Sequence, residues 1–167
     1  MSATGSPGPT GTEREGPGWP AWELPLVLVG ALRAHLDESH RRLAERGHPG
    51  TRPVHGFALQ AVGAGATATE VASRLGVSKQ AAAKTLTLLE RQGYVERAVD
   101  TADARRKVVR PTGRGEDFLQ QSVFVFEEIR ADWASRVGGE RLEALTVDLR
   151  VLGADSARRL DLQSWLG

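Results

Sequence analysis

The sequence predicts a mainly α-helical fold with one small β-hairpin, and three observations lead to this prediction. Beyond residue 18, apolar residues recur at helical spacings of three and four along much of the chain. Two short helices with clear end signals lie next to each other between Thr67 and Gly93. Two strand-like runs separated by a polar, basic segment follow at once. The chain is therefore expected to be organised around residues 67–115.

The ends of the two central helices are marked by capping residues. Thr67 and Glu70 have the spacing of a capping box, so a helix should begin directly after Thr67 and end at Gly76. Ser78 is a good N-cap for a second helix, which should run to about Gln92. Two helices joined by a short turn that contains glycine form a helix-turn-helix.

The segment after the second helix predicts a β-hairpin. Residues 94–99 and 107–110 are strand-like, and the polar, basic residues 100–106 between them suit a hairpin tip. A helix-turn-helix followed by a basic hairpin is a winged helix. Its second helix is expected to enter the major groove of DNA, and its wing to follow the backbone or reach the minor groove.

Helical periodicity predicts further helices at residues 23–46, 54–62, 114–137, 140–152 and 156–165. The second of these should brace the helix-turn-helix through Phe57 and Leu59 or Ala61. The third carries an apolar stripe that needs a partner, formed by Phe118, Leu119, Val123, Phe126, Ile129 and Trp133.

The central segment resembles the MarR family of winged-helix transcription factors. The resemblance rests on Glu70-Val71-Ala72, Leu75-Gly76-Val77-Ser78, Leu89-Glu90, Gly93-Tyr94-Val95, Asp100, Asp103, Arg105, Thr112 and Gly115. It departs from the family pattern at two positions, where Ala104 replaces the first arginine of a pair and Pro111 replaces a leucine. The arginine that projects from the wing in this family is matched by Arg105, and the family reading of Asp103 is structural.

The predicted organisation is a disordered tail followed by one domain. Residues 1–18 are rich in Gly, Pro, Ser and Thr, which predicts disorder, and residues 19–167 form the single MarR-like domain. The resemblance implies that residues 19–50 and 115–167 supply dimerisation helices around a winged helix-turn-helix at residues 51–114. A helix-turn-helix monomer reads only half a site, whereas a two-fold dimer would place two recognition helices about 34 Å apart. We therefore expect a homodimer.

Charge is concentrated in the central module. Residues 70–115 hold ten Lys or Arg against five Asp or Glu, residues 1–69 hold six against six, and residues 116–167 hold six against ten. A basic module between neutral and acidic flanks is typical of a protein that reads double-stranded DNA.

Several classes of protein are not supported by the sequence. The chain has no cysteine, which excludes disulfides and thiol-based sensing, and no apolar run approaches the roughly twenty residues of a membrane helix. It has no recognisable signal segment, so a cytoplasmic protein without a membrane partner is expected. No nucleophile elbow, P-loop or dinucleotide motif is present, and His35 and His40 lack the i, i+4 spacing of a metal pair. We therefore predict neither an enzyme, nor a cofactor, nor a metal site.

Candidate DNA contacts lie on the second helix and on the wing. Ala82, Leu86 and Leu89 should face the core, which leaves the opposite face for DNA. Gln80 is a candidate for pairing with adenine, Lys79 and Lys84 for guanine or phosphate, and the methyl groups of alanines 81 and 83 for thymine. The full set is Ser78, Lys79, Gln80, Ala81, Lys84, Thr87, Arg97, Arg105, Arg106 and Lys107, with Arg105 in the minor groove and the other wing cations on phosphates.

The resemblance also implies a pocket for a small anionic or aromatic effector, near the junction of the dimer helices and the winged domain. Its candidate lining residues are Trp19, Trp22, His35, His55 and Phe57. The expected function is a homodimeric repressor of a pseudo-palindromic operator that an effector relieves. Two alternatives stay open: a ligand-independent architectural or activating DNA-binding protein, and a winged helix used only for protein contacts.

Overall fold

The computed structural model describes residues 19–99 and 106–157. Within them the helices are α1 (Glu23–Glu45), α2 (Pro53–Val62), α3 (Ala68–Leu75), α4 (Lys79–Arg91), α5 (Gly113–Val137) and α6 (Gly139–Ala157). The strands are β1 (Val95–Val99) and β2 (Lys107–Pro111), and α4 leads directly into β1. The predicted mainly α fold with a small hairpin is confirmed. The chain divides into two compact units, residues 1–33 and residues 34–167.

The described part of the first unit is exposed almost throughout. It comprises residues 19–33, and only Glu23 among them is partly buried. Its large apolar side chains therefore face solvent in the single chain; they are Trp19, Trp22, Leu24, Leu26, Val27, Leu28, Val29 and Leu32.

The capping signals of the two central helices act as predicted. The Thr67 hydroxyl accepts the Glu70 N–H at 3.2 Å, and the Thr67 N–H donates to the Glu70 carboxylate at 2.8 Å. Gly76 ends α3 in the left-handed conformation with φ 70°, which glycine adopts without strain. The Ser78 hydroxyl accepts the Ala81 N–H at 3.1 Å and starts α4. Local hydrogen bonding thus sets the turn between α3 and α4.

The wing is a two-stranded antiparallel sheet, with Val95 opposite Pro111 and Val99 opposite Lys107. A separate bridge pairs Ala66 with Val109, through N–O distances of 3.0 and 2.8 Å. Strand β2 is therefore held both by β1 and by the segment that precedes α3. Of the predicted hairpin tip at residues 100–106, only Arg106 is described, and residues 100–105 lie outside the described residues.

The core of the second unit lies beneath the helix-turn-helix. The residues it buries come from α1 to α5 and both strands; the largest fully buried apolar side chains are Tyr94, Leu59, Leu89, Ile129, Val62, Val71 and Val125. Helix α2 packs against α3, α4 and α5, as predicted for the bracing helix. Leu59 and Ala61 are buried, but Phe57 is 38 % exposed, so the prediction that Phe57 braces the helix-turn-helix is wrong.

One prediction about the long C-terminal helices needs correction. In α5 the buried residues include Val125, while Val123 and Phe126 of the apolar stripe are 55 % and 45 % exposed in the single chain. The need of this stripe for a partner stays a prediction. The predicted separate helix from Ser156 is wrong at its start, because α6 continues through Ser156 to Ala157; its remainder lies outside the described residues.

A polar cluster around the buried His48 ring joins the segment after α1 to the base of the wing and to α5. The His48 ring lies 3.3 Å from the Tyr94 hydroxyl through Nδ1 and 3.0 Å from the Asp117 carboxylate through Nε2. Arg114 donates to the Tyr94 hydroxyl at 3.3 Å and to the Gly47 carbonyl at 3.0 Å. Both nitrogens of this buried histidine thus have polar partners, and the base of the wing is fixed relative to α5.

Candidate DNA-binding surface

The two faces of α4 divide as the sequence predicted. Ala82, Leu86 and Leu89 are 1 %, 3 % and 0 % exposed and belong to the core. The opposite face presents Lys79, Gln80, Ala83 and Lys84 to solvent, with Ala81 and Thr87 partly buried. Because the packing is completed on one side only, the outward side chains are available to a partner.

Ser78, the N-cap of α4, keeps its hydroxyl proton available as a hydrogen-bond donor. The Ser78 oxygen is occupied as the helix cap, where it accepts the Ala81 N–H. Its hydroxyl proton can still be donated to a phosphate oxygen. The cap and the predicted phosphate contact are therefore compatible.

The C-terminal part of α4 is tied to the wing by an ion pair. Arg97 of β1 donates from Nε to both oxygens of Glu90, at 3.0 and 3.1 Å. The Arg97 side chain is nevertheless 62 % exposed, and the predicted phosphate contact would use its terminal nitrogens. The pair also sets the position of β1 against α4.

The predicted wing cations have different surroundings. Lys107 is exposed, Arg106 pairs with Glu70 of α3, and Arg105 lies outside the described residues. The Glu70 pKa is lowered to about 2, first by the Thr67 backbone N–H and next by Arg106, so Glu70 is ionised at neutral pH. Sequence reasoning missed this pair because its members are 36 positions apart.

A groove of about 630 Å³ runs beside α4. Three cations border it, namely Arg52 at the start of α2 and Lys84 and Arg91 of α4, and Leu88 and Ala81 supply apolar surface. Arg52 and Arg91 were not among the predicted contact residues, since neither belongs to the outward turn of α4 or to the wing. Both are exposed, and they extend the positive surface beyond the recognition residues.

Within the second unit, the candidate ligand-binding residues His35, His55 and Phe57 do not line one cavity. Phe57 lines a pocket of about 80 Å³ that His40 and Phe126 also line, whereas His55 lines the groove beside α4. His35 packs against Phe126 and Trp133, with ring centroids 5.3 and 5.6 Å away. The remaining two, residues 19 and 22, are the exposed tryptophans of the first unit. The small pocket is well below the volume of a typical ligand site.

Burial lowers the pKa values of three histidines. For His35, His40 and His55 the main cause is desolvation, which disfavours the charged ring. Asp37 opposes this effect at His40, and Arg52 adds to it at both His40 and His55. These histidines therefore favour the neutral form in the folded protein.

The lowered pKa values of these three histidines predict that the folded protein loses stability on mild acidification. As the pH falls, the unfolded chain binds protons before the folded one does. The contribution is therefore fully present above the ordinary histidine pKa of about 6.5 and is lost as the pH falls from there through the lowered folded-state pKa values. We expect a lower thermal unfolding midpoint at pH 5.5 than at pH 7.5. His40→Gln should reduce this difference, because glutamine does not titrate; an equal or higher midpoint at pH 5.5 would contradict the assignment.

Neither a metal centre nor a membrane span is found among the described residues. Residues 19–99 and 106–157 contain no cluster of three His, Cys, Asp or Glu side chains with metal-binding geometry. In the same part of the chain, none of the helices combines the length and apolarity needed to cross a membrane.

Comparison with known proteins supports the resemblance drawn from the sequence. The model of the MarR family matches residues 57–106, which begin within α2 and end just before β2. No curated protein sequence matches the chain.

Solved structures show the same fold at low sequence identity. The YusO protein from Bacillus subtilis has a TM-score of 0.61 at 20 % identity, over 80 % of this chain and 94 % of that one. The transcriptional regulator Tm0710 from Thermotoga maritima gives 0.55 at 22 %, over 82 % and 96 %. S. aureus MepR bound to ethidium bromide gives 0.55 at 20 %, also over 82 % and 96 %.

Proposed function

We propose that this chain, whose residues 57–106 match the model of the MarR family, is a sequence-specific, DNA-binding transcription regulator. The observation that carries the proposal is the division of α4. One face is packed into the core, while the other presents Lys79, Gln80 and Lys84 to solvent. A helix with this division can enter the major groove without loss of packing.

In this proposal sequence is read by α4 and affinity comes mainly from phosphates. Gln80 pairs with adenine, and Lys84 contacts guanine or a phosphate. Lys107 and Arg97 contact the backbone, and Arg105 enters the minor groove. If six phosphates are neutralised across a dimer, the logarithm of the binding constant falls with the logarithm of salt concentration with a slope of about −5.

A homodimer is proposed because each unit exposes apolar helix surface. In the first unit, Leu24 and Leu26 are more than 60 % exposed; in the second, Val151 and Leu152 of α6 are more than 70 % exposed. Apolar helix surface of this extent is typical of a subunit interface. A two-fold axis would then place the two α4 helices one DNA turn apart, on a pseudo-palindromic operator.

We further propose that the regulator is a repressor relieved by a small anionic or aromatic effector. The pocket of about 80 Å³ lined by His40, Phe57 and Phe126 is the site that this effector would enlarge. The small size of the pocket equally supports a regulator that acts without an effector, which is the alternative function. Loss of operator binding in the presence of a ligand would separate the two.

The first experiment is selection of bound sites from random duplex DNA, followed by titration of the best site at several salt concentrations. We expect a pseudo-palindrome with half-sites one helical turn apart and a steep salt slope. Sedimentation of the free protein and of its complex would give the stoichiometry. Weak binding to every duplex with no enriched sequence would contradict sequence-specific regulation.

The wing assignment predicts that Arg105→Ala weakens operator binding by roughly 10- to 100-fold in the dimer, since a groove contact is lost in each subunit. The dimer should stay intact. Fluorescence anisotropy at fixed salt measures the effect, with Arg150→Ala on the exposed surface of α6 as the matched control. Wild-type affinity in the Arg105 variant would show that the wing does not contact DNA through this residue.

A further inference from the structure

Glu70 uses its two carboxylate oxygens for two different purposes. Oε2 accepts the Thr67 N–H at 2.8 Å and the Thr67 hydroxyl at 3.0 Å, which caps α3. Oε1 accepts a hydrogen bond from the Arg106 guanidinium. One side chain therefore joins the first helix of the helix-turn-helix to the wing.

Arg106 lies directly before the return strand of the wing. It is the last residue of the predicted hairpin tip, and the first residue of β2 is Lys107. Three residues further on, the Val109 bridge to Ala66 ties β2 to the segment before α3. Within the described residues, the return strand is thus attached to the α3 side of the domain both at Arg106 and at Val109.

Two roles for Arg106, a phosphate contact and an anchor of the wing, predict opposite effects of Glu70 on DNA binding. In a phosphate contact the guanidinium donates to DNA, and the nearby Glu70 carboxylate opposes DNA. A fixed wing requires the ion pair to persist in the complex. The pair is about 40 % exposed on both sides, so it can be tested by substitution without opening the core.

We propose that Glu70 and Arg106 are positioning residues that fix the start of β2 against α3 and so set how the wing approaches DNA. The inference rests on the proposed DNA-binding function. It replaces the expectation that Arg106 contacts a phosphate.

The first test needs no DNA. Glu70→Gln keeps the helix cap, because a glutamine oxygen accepts the Thr67 N–H, and it removes the charge that holds Arg106. Amide hydrogen exchange in β1 and β2 should become faster in Glu70→Gln and Arg106→Gln by roughly 3- to 10-fold, the range expected for a single coupled pair. Lys107→Gln is the control and should leave this exchange unchanged. Unchanged exchange in both test variants overturns the proposal.

The second test uses the selected operator. Both Glu70→Gln and Arg106→Gln should weaken binding by roughly 3- to 10-fold, and the double variant should bind no more weakly than Arg106→Gln alone. The direction of the change in operator affinity for Glu70→Gln decides between the two roles of Arg106, because removing a negative charge beside DNA otherwise strengthens binding. Glu96→Gln, on the exposed face of β1, controls for that general effect.

The possible outcomes distinguish a failure of the positioning role from a failure of the proposed DNA-binding function. Stronger operator binding by Glu70→Gln, together with a smaller salt slope for Arg106→Gln, would make Arg106 a phosphate contact and overturn the positioning role. Faster exchange with unchanged operator affinity would also overturn it. If the wild-type protein binds no duplex, the proposed function fails, and hydrogen exchange alone then decides whether the wing is anchored.

Discussion

Gly115→Ala is expected to destabilise the protein by about 3–5 kcal/mol, since a clash with fixed backbone lies at the upper end of single-residue effects. A Cβ at this position would lie 2.1 Å from the Tyr94 carbonyl oxygen and 3.3 Å from the Leu59 side chain. The Tyr94 carbonyl cannot easily retreat, because it accepts the Thr112 N–H at 3.0 Å. The Tyr94 ring is itself buried against Phe118.

Urea unfolding at neutral pH measures this effect. Gly113→Ala, in the first turn of the same helix, is the matched control, because a Cβ there meets nothing within 4 Å. It should leave stability unchanged or raise it by up to about 1 kcal/mol, as alanine favours helix over glycine. The total free energy of unfolding of such a domain is roughly 5–15 kcal/mol. If the Gly115→Ala variant unfolded with a free energy within about 1 kcal/mol of wild type, α5 would have to be able to shift away from the base of the wing.

Lys84→Ala is expected to weaken operator binding by about 2–6 kcal/mol in the dimer, if each subunit loses a base contact of about 1–3 kcal/mol. Lys84 is exposed on the outward face of α4, and the buried residues of that helix are on the other side. Folding stability should therefore change little. The loss should be smaller, with a lower salt slope, if Lys84 contacts only phosphate.

Titration of the selected operator at several salt concentrations separates these two roles. Arg130→Ala is the control, because Arg130 is an exposed cation of α5, 3.9 Å from Glu143. Its removal changes the net charge by the same amount away from the proposed DNA surface. Equal losses in the two variants would show that net charge, rather than the position of Lys84, governs binding.

The features that the sequence predicted best are those with short-range causes. Thr67, Glu70, Gly76 and Ser78 act through hydrogen bonds or backbone conformations within a few residues, and the structure has each of them in its predicted role. The core face of α4 was also predictable, because its three apolar residues have one clear periodicity. Local chemistry therefore defined the helix-turn-helix before any tertiary contact was known.

The features that could not be predicted depend on distant parts of the chain. Phe57 is apolar and suitably spaced for bracing the helix-turn-helix, yet it is 38 % exposed. The Glu70–Arg106 pair and the close approach of Gly115 to Tyr94 depend on where the wing folds back. The placement of Arg105 relative to DNA stays a prediction.

The division of α4 into a packed face and a solvent face has an evolutionary consequence. Substitutions at positions 79, 80, 83 and 84 should change little of the folding free energy, because these side chains are exposed. Selection can then alter operator preference through them without first acquiring compensating core mutations. After gene duplication, two copies of such a protein could diverge in their target sites while both remain folded, and their descendants would share Ala82, Leu86 and Leu89 more faithfully than the residues that read DNA.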